Sequence, residues 1–380
     1  MSRFALTAER VWYGRKLSRG AAVLVDGGRI ATALPVGELA PDVPLRDLGA
    51  GILAPGFIDA QVNGGGGVLL NEVPTVEGVR RIAEAHRRFG TTGLLPTIIT
   101  DAPEVMKAAA NAISKAIRQR VPGVLGVHIE GPFIDPKRKG AHDARFIRPP
   151  TEADILWLTG LDCGRVLVTL APNVVEPPII RRLVTAGIIV SLGHSDASAE
   201  EACAALDAGA TGFTHLFNAM SQMTGRSPGL VGAALASQKA MCGIIADGEH
   251  VHPTSLMAAM AEKRHWGMFF VSDAMPSAAG GPPRFKLQGR EVEVVNRRLQ
   301  LADGTLAGAN ITMLDAVKYA HRVLKLDLAE VLPMATDCPA KFLGLQGEVS
   351  LVGKDHRANF VHLSDDLDVL ETWIDGISSK

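Results

Sequence analysis

After Pro55 the chain repeats one pattern: a short, almost wholly apolar run, then an amphipathic segment, then another apolar run. Apolar runs fall at 56–60, 93–97, 124–130, 166–170, 188–192, 211–215, 243–247 and 268–272. Helical periodicity marks 76–89, 103–119, 178–186 and 199–208 between them. A strand that is apolar on both faces must be covered on both faces, as in parallel sheets flanked by helices. Eight such strands with crossover helices predict an α/β chain folded as a (β/α)8 TIM-like barrel. The competing open, doubly wound sheet would place a G-x-G-x-x-G turn after its first strand, and none occurs in that context.

The two ends have a different texture. Residues 1–53 read as short strands separated by Gly-Arg and Asp-Gly-Gly turns, and 345–380 return to strands and turns. Neither end is long enough to be stable alone, so they are expected to form one small β-sandwich domain beside a barrel spanning 54–344. Alternation at 291–295 and 298–301, around Asn296-Arg297, predicts a β-hairpin insertion near 280–308. Helices are expected at 313–324 and 328–335.

Net charge is −1 over 380 residues, so overall electrostatics give no case for nucleic acid or an anionic membrane as partner. Cys163, Cys203, Cys242 and Cys338 are widely spaced, without a C-x-x-C motif, which argues against a disulfide framework or a structural zinc site. No apolar run reaches the roughly 18 residues of a membrane span, and the N-terminus lacks a signal-peptide core. A cytoplasmic protein with reduced thiols is expected.

In a parallel barrel, catalytic groups gather at the C-terminal ends of the strands. Glu130 ends an apolar run and is followed by Gly131-Pro132, which stop a strand. A carboxylate there needs a partner, because burying an unpaired charge is costly. His194 and His215 end the fifth and sixth expected strands. Two imidazoles and one carboxylate form a common catalytic zinc set with an open position for water. Iron, cobalt or manganese also suits these ligands. Asp273 ends the eighth strand, where a carboxylate can take a proton from an activated water; a helix cap or a loop salt bridge is its bland alternative. Arg226, in a loop after strand six, offers a planar fork to an anion, although a lone loop arginine is commonly a solvated charge. His250 offers a further donor. Lys137-Arg138-Lys139 reads as a solvated loop ahead of His142. Gly64–Gly67 lacks the lysine of a P-loop and reads as a turn.

Taken together, PGFID at 55–59, HIEGP at 128–132, GHS at 193–195, THLFNAM at 214–220, IADG at 245–248 and SDA at 272–274 resemble the N-acetylglucosamine-6-phosphate deacetylase family of the amidohydrolase superfamily. The resemblance covers nearly the whole chain, in order. It implies hydrolysis of N-acetylglucosamine 6-phosphate to glucosamine 6-phosphate and acetate, with Glu130, His194 and His215 holding a metal and Asp273 as general base, then acid. It implies that His142, beside Ala141, sits near the scissile acetamide. It further implies that Asn218, Ala219, Arg226, Asp247, His250 and Leu306-Ala307-Gly308 serve the sugar phosphate. A homodimer is implied, with Arg226 as the candidate to reach the neighbouring subunit's site. Many members of the superfamily end strand one with His-x-His around a second metal. Here Gln61-Val62-Asn63 stands in its place, and neutral amides are poor ligands, so one divalent metal ion per subunit is expected. Two other readings are a cyclic amidohydrolase or aminohydrolase acting on a ring amide or nucleobase, and a barrel scaffold without catalysis.

Overall fold

The computed structural model describes residues 3–13, 16–263, 265–349 and 354–380. Eight parallel strands form the barrel: β1 Phe57–Val62, β2 Thr91–Ile99, β3 Gly126–Glu130, β4 Arg165–Leu170, β5 Ile189–Leu192, β6 Gly212–Phe213, β7 Met241–Ile244 and β8 Met268–Phe270. They pair in sequence order from β1 to β8. The seam between β8 and β1 closes past the end of β8. There Val62 bridges Ala274, the Asp273 N–H donates to the Gln61 carbonyl at 3.0 Å, and the Ser272 N–H donates to Asp59 Oδ1 at 3.2 Å. The eight-stranded α/β expectation therefore holds.

Every residue of β1, β2 and β3 is buried, as strands sandwiched between barrel core and helices must be. β3 and β4 approach closely at Gly126, where a Cβ would lie 1.9 Å from the Arg165 carbonyl oxygen. Crossover helices begin where the sequence supplies caps. The Thr75 hydroxyl accepts the Gly78 N–H ahead of helix Val76–Arg87, and Ser198 with Glu201 forms a reciprocal box ahead of helix Ala199–Asp207.

The ends of the chain fold into two sheets. One orders Arg29–Pro35, Ala21–Asp26, Phe4–Thr7 and Leu45–Asp47. The other runs Ile377–Ser378, Val369–Ile374, Phe360–Leu363, Ile52–Pro55, Arg10–Tyr13 and Lys16–Ser18. Ile52–Pro55 is the splice: it pairs antiparallel with Phe360–Leu363 and parallel with Arg10–Tyr13, so this sheet extends past residue 53. Leu6, Trp12, Val23, Ile52 and Phe360 are all buried in the shared core. Of the segment 345–380, residues 350–353 lie outside the described residues.

The insertion has three strands rather than the expected two: Arg284–Leu287, Arg290–Val295 and Arg298–Leu301. Its Leu287, Val292 and Leu299 pack with Leu69, Ile99, Met275 and Ala307 in a cluster separate from the main core. The Arg290 guanidinium donates to the Ala141 carbonyl at 2.5 Å, and the Gln288 amide donates to the Thr100 carbonyl at 2.7 Å. The meander is thereby tied to the loop that carries His142. Helices Met313–Arg322 and Leu328–Ala335 follow, with a short third, Asp337–Phe342, that periodicity did not mark. Among the described residues no helix is long and apolar enough to cross a membrane, and the four cysteines are thiols.

Candidate active site

A cavity of about 330 Å³ opens at the C-terminal mouth of the barrel. Glu130, His194, His215 and Asp273 all line it, brought together from the ends of four strands. His194, His215 and Asp273 sit at φ +47°, +33° and +49°, in the left-handed region that non-glycine residues rarely adopt. The chain turns sharply as it leaves each strand, and that turn aims the side chain into the mouth. Backbone strain of this kind costs about 1–3 kcal/mol per residue and clusters at functional sites.

The three ligand-type residues converge on one point. Glu130 Oε1 lies 3.1 Å from His215 Nε2 and 3.2 Å from His194 Nε2. The two imidazole nitrogens are 3.0 Å apart. Ligands about 2.0–2.1 Å from a tetrahedral zinc stand about 3.3 Å from one another, so the three atoms already span nearly the edge lengths of a metal site. The tautomer also fits, because His194 Nδ1 donates to the Arg138 carbonyl at 2.8 Å and leaves the Nε2 lone pair facing Glu130 and His215. All three residues are buried. Burial alone would push the Glu130 carboxyl up, but the two neighbouring imidazoles hold it well below the usual carboxylate range. Burial draws His215 down, and the Glu130 carboxylate outweighs it and raises that imidazole. The donor set, its spacing and its charge fit one divalent cation.

Asp273 is buried beside this cluster. Burial, reinforced by the Glu130 charge, pushes its carboxyl up to about 6. His142 is also buried, its ring centroid 4.5 Å from that of His194, and its Nδ1 lies 2.7 Å from the Thr100 hydroxyl. Burial first, then the neighbouring His194, hold its pKa well below the usual histidine range. A Thr100 hydroxyl donating to Nδ1 leaves the hydrogen of this neutral ring on Nε2, the form that can donate to a carbonyl oxygen.

The cavity wall also includes Ala141, Asn218, Ala219, His250, Leu306, Ala307 and Gly308. Asp247 and Arg226 are not part of it. Asp247 stands behind His250, with Oδ2 accepting from Nδ1 at 2.7 Å and Oδ1 accepting the backbone N–H groups of Glu249 and His250. These bonds brace the His250 ring and its backbone from behind. Arg226 is exposed and pairs with no carboxylate among the described residues. Lys137 and Arg138, read from the sequence as a solvated loop, do line the cavity. Arg138 is held by two N–H bonds to Asp196 Oδ1, at 2.9 and 2.8 Å. Its signal lay in the spacing to His142, which places 137–142 on one loop folded over the mouth. Ile99, Met275 and Leu287 complete an apolar side that no motif announced.

An amidohydrolase family model matches residues 52–377. The chain belongs to the amidohydrolase family. It is 46% identical over 341 residues to the N-acetylgalactosamine-6-phosphate deacetylase of Shewanella sp. (strain ANA-3), covering 89% of this chain and 86% of the relative. It is 35% identical over 369 residues to the N-acetylglucosamine-6-phosphate deacetylase of Haemophilus influenzae, covering 94% of each. The crystal structure of N-acetylglucosamine-6-phosphate deacetylase from Pasteurella multocida superposes with a TM-score of 0.96 at 34% identity, covering 100% of both chains. Within this amidohydrolase, five of the six motifs place a residue on the cavity wall: Glu130, His194, His215 with Asn218 and Ala219, Ile245, and Asp273; the PGFID motif does not.

Proposed function

We propose that the chain hydrolyses the acetamide of N-acetylglucosamine 6-phosphate, giving glucosamine 6-phosphate and acetate. One observation carries the reading: Glu130, His194, His215 and Asp273 line a single cavity in a chain whose relatives of 35–46% identity are amino-sugar-phosphate deacetylases. The 46% identical relative acts on the galactosamine epimer, and this favours a second reading in which that epimer is the better substrate. The two sugars differ only in configuration at C4, remote from the acetamide. Both relatives are named for a linear acetamide, so the ring-amide reading is set aside.

A divalent metal held by Glu130, His194 and His215, zinc first and iron, cobalt or manganese next by ligand preference, supplies carbonyl polarisation and a lowered water pKa. Asp273 takes the proton of the attacking water and later delivers it to the departing amine nitrogen. His142 Nε2–H donates to the carbonyl oxygen as charge builds there. His250, oriented by Asp247, and the chain around Asn218-Ala219 and Leu306–Gly308 hold the sugar phosphate, and that remote binding orients the acetamide. Lys137 and Arg138 add positive charge to the wall.

The same proposal includes a homodimer in which Arg226 reaches the partner's site. Its support is that Arg226 is exposed, pairs with no carboxylate among the described residues, and lies three residues after Met223, which with Phe217, Val231 and Leu235 lines a groove of about 540 Å³. The thiol state of the cysteines suits a cytoplasmic setting. Acetate release from N-acetylglucosamine 6-phosphate, N-acetylgalactosamine 6-phosphate and the two unphosphorylated sugars tests the reading. Turnover of one or both phosphates, with little for the free sugars, is expected. No release from either phosphate by metal-loaded protein contradicts it.

A further inference from the structure

The lip of β1 carries two buried amides, Gln61 and Asn63, each 2% exposed. Their hydrogen bonds are not those of residues left over from a lost second metal site. Asn63 Nδ2–H donates to Asp273 Oδ1 at 2.7 Å. Gln61 Nε2–H donates to the same oxygen at 3.1 Å and to Glu130 Oε1 at 3.1 Å. Asp273 Oδ2 accepts no hydrogen bond among the described residues, and Asp273 lines the cavity.

The Asp273 backbone is already fixed. Its N–H donates to the Gln61 carbonyl at 3.0 Å and its carbonyl accepts the Ala309 N–H at 2.9 Å. What remains free is rotation of the side chain, and a carboxylate rotor is soft. Two donors on one oxygen remove that freedom. Asn63 is buried, and because its Oδ1 has no hydrogen-bond partner among the described residues, the Nδ2–H bond to Asp273 is the one hydrogen bond its side chain makes there. Gln61, placed between two carboxylates, offers one hydrogen to each and separates two like charges without adding a charge of its own.

We propose that Asn63, seconded by Gln61, is a positioning residue for the base: it pins Asp273 Oδ1 so that Oδ2 is the oxygen that exchanges the proton. The pair of amides supplies by hydrogen bonding the placement that a second cation would otherwise supply by charge. The inference rests on the deacetylase reading for its kinetic consequence and on geometry alone for its structural one.

The experiment compares wild type, Asn63→Ala and the isosteric Asn63→Asp, each loaded with zinc. Removing a partner that orients a metal-site group costs roughly 10–100-fold. Asn63→Ala is expected to lower kcat by about that factor, with KM within about threefold and metal content unchanged, because Asn63 makes no bond to Glu130. Its crystal structure is expected to show the Asp273 carboxylate turned from its wild-type plane. Asn63→Asp, which sets a carboxylate against Oδ1, is expected to lose at least as much turnover. It also decides the matter if the alanine variant folds poorly. An unmoved Asp273 carboxylate with kcat within about twofold of wild type in either variant overturns the inference. If wild type released no acetate, the proposed function would fall, and the Asp273 plane in the variant crystals would still decide the placement.

Discussion

Replacing Asp273 by asparagine tests the division of labour in this site. The substitution keeps the shape and an oxygen at Oδ1, so the Asn63 bond of 2.7 Å can persist. It removes a negative charge next to Glu130, the neighbour that, after burial, raises Asp273 to about 6. Glu130, His194 and His215 are untouched, so the metal is expected to stay bound, at an affinity no higher than that of wild type. The variant cannot take the water's proton or return one to nitrogen. A single positioned acid or base contributes about 10²–10⁴-fold, and here one residue performs both transfers. A loss near or above 10³ in kcat is expected, about 4 kcal/mol of barrier. The assay is acetate release under saturating sugar phosphate, with metal content and calorimetric substrate binding on the same preparation. A variant within about tenfold of wild-type kcat, with metal bound, would refute the assignment of the base.

Glu130→Gln removes the one charged metal ligand. Metal affinity should fall by more than the roughly 10–100-fold that an outer partner costs, and stoichiometric metal after dialysis would show the site to be elsewhere. Asp273 works as the carboxylate, so kcat/KM should fall as pH drops. A bound dication offsets part of the upward push on its carboxyl, so the midpoint should lie at or below about 6; a wild-type acid limb that persists unchanged in Asp273→Asn would contradict this. Asp59 is raised from 3.8 to about 7 by burial, against N–H bonds from Ser272 and Gln61. Asp59 therefore holds a proton in the folded chain between those values that it has lost in the unfolded chain, and its contribution to stability should decline as pH rises through that window. Asp59→Asn should flatten the decline, as read from urea midpoints at pH 5 and 8; equal slopes would contradict the account.

Sequence made the barrel legible because its strands are buried on both faces. Even β6, only Gly212–Phe213 as a strand, could be placed from the apolar run that ends at His215. Strand Arg284–Leu287 escaped notice because it is only four residues long and follows Gly280-Gly281-Pro282-Pro283; its alternation, Arg-Phe-Lys-Leu, is too short to stand out from a loop. The metal-type triad was visible as residue types ending strands. The positive φ at His194, His215 and Asp273 was not, since histidine and aspartate enter the left-handed region more often than other non-glycine residues but do not demand it as glycine does. Lys137 and Arg138 looked solvated because a charge run in a loop carries no sign of what the loop folds over. Gln61 and Asn63 were read only as the absence of ligands, and their hydrogen bonds to Asp273 become visible once β8 closes against β1.

The central claim is that one metal at Glu130, His194 and His215 serves the hydrolysis of an N-acetylated sugar phosphate. Acetate release from N-acetylglucosamine 6-phosphate and from N-acetylgalactosamine 6-phosphate, measured with metal content on the same sample before chelation, after chelation and after zinc is restored, tests it most directly. The account predicts about one metal per chain, activity lost with the metal, and both regained together. Full acetate release by metal-free protein, or none by protein carrying one metal per chain, would contradict it.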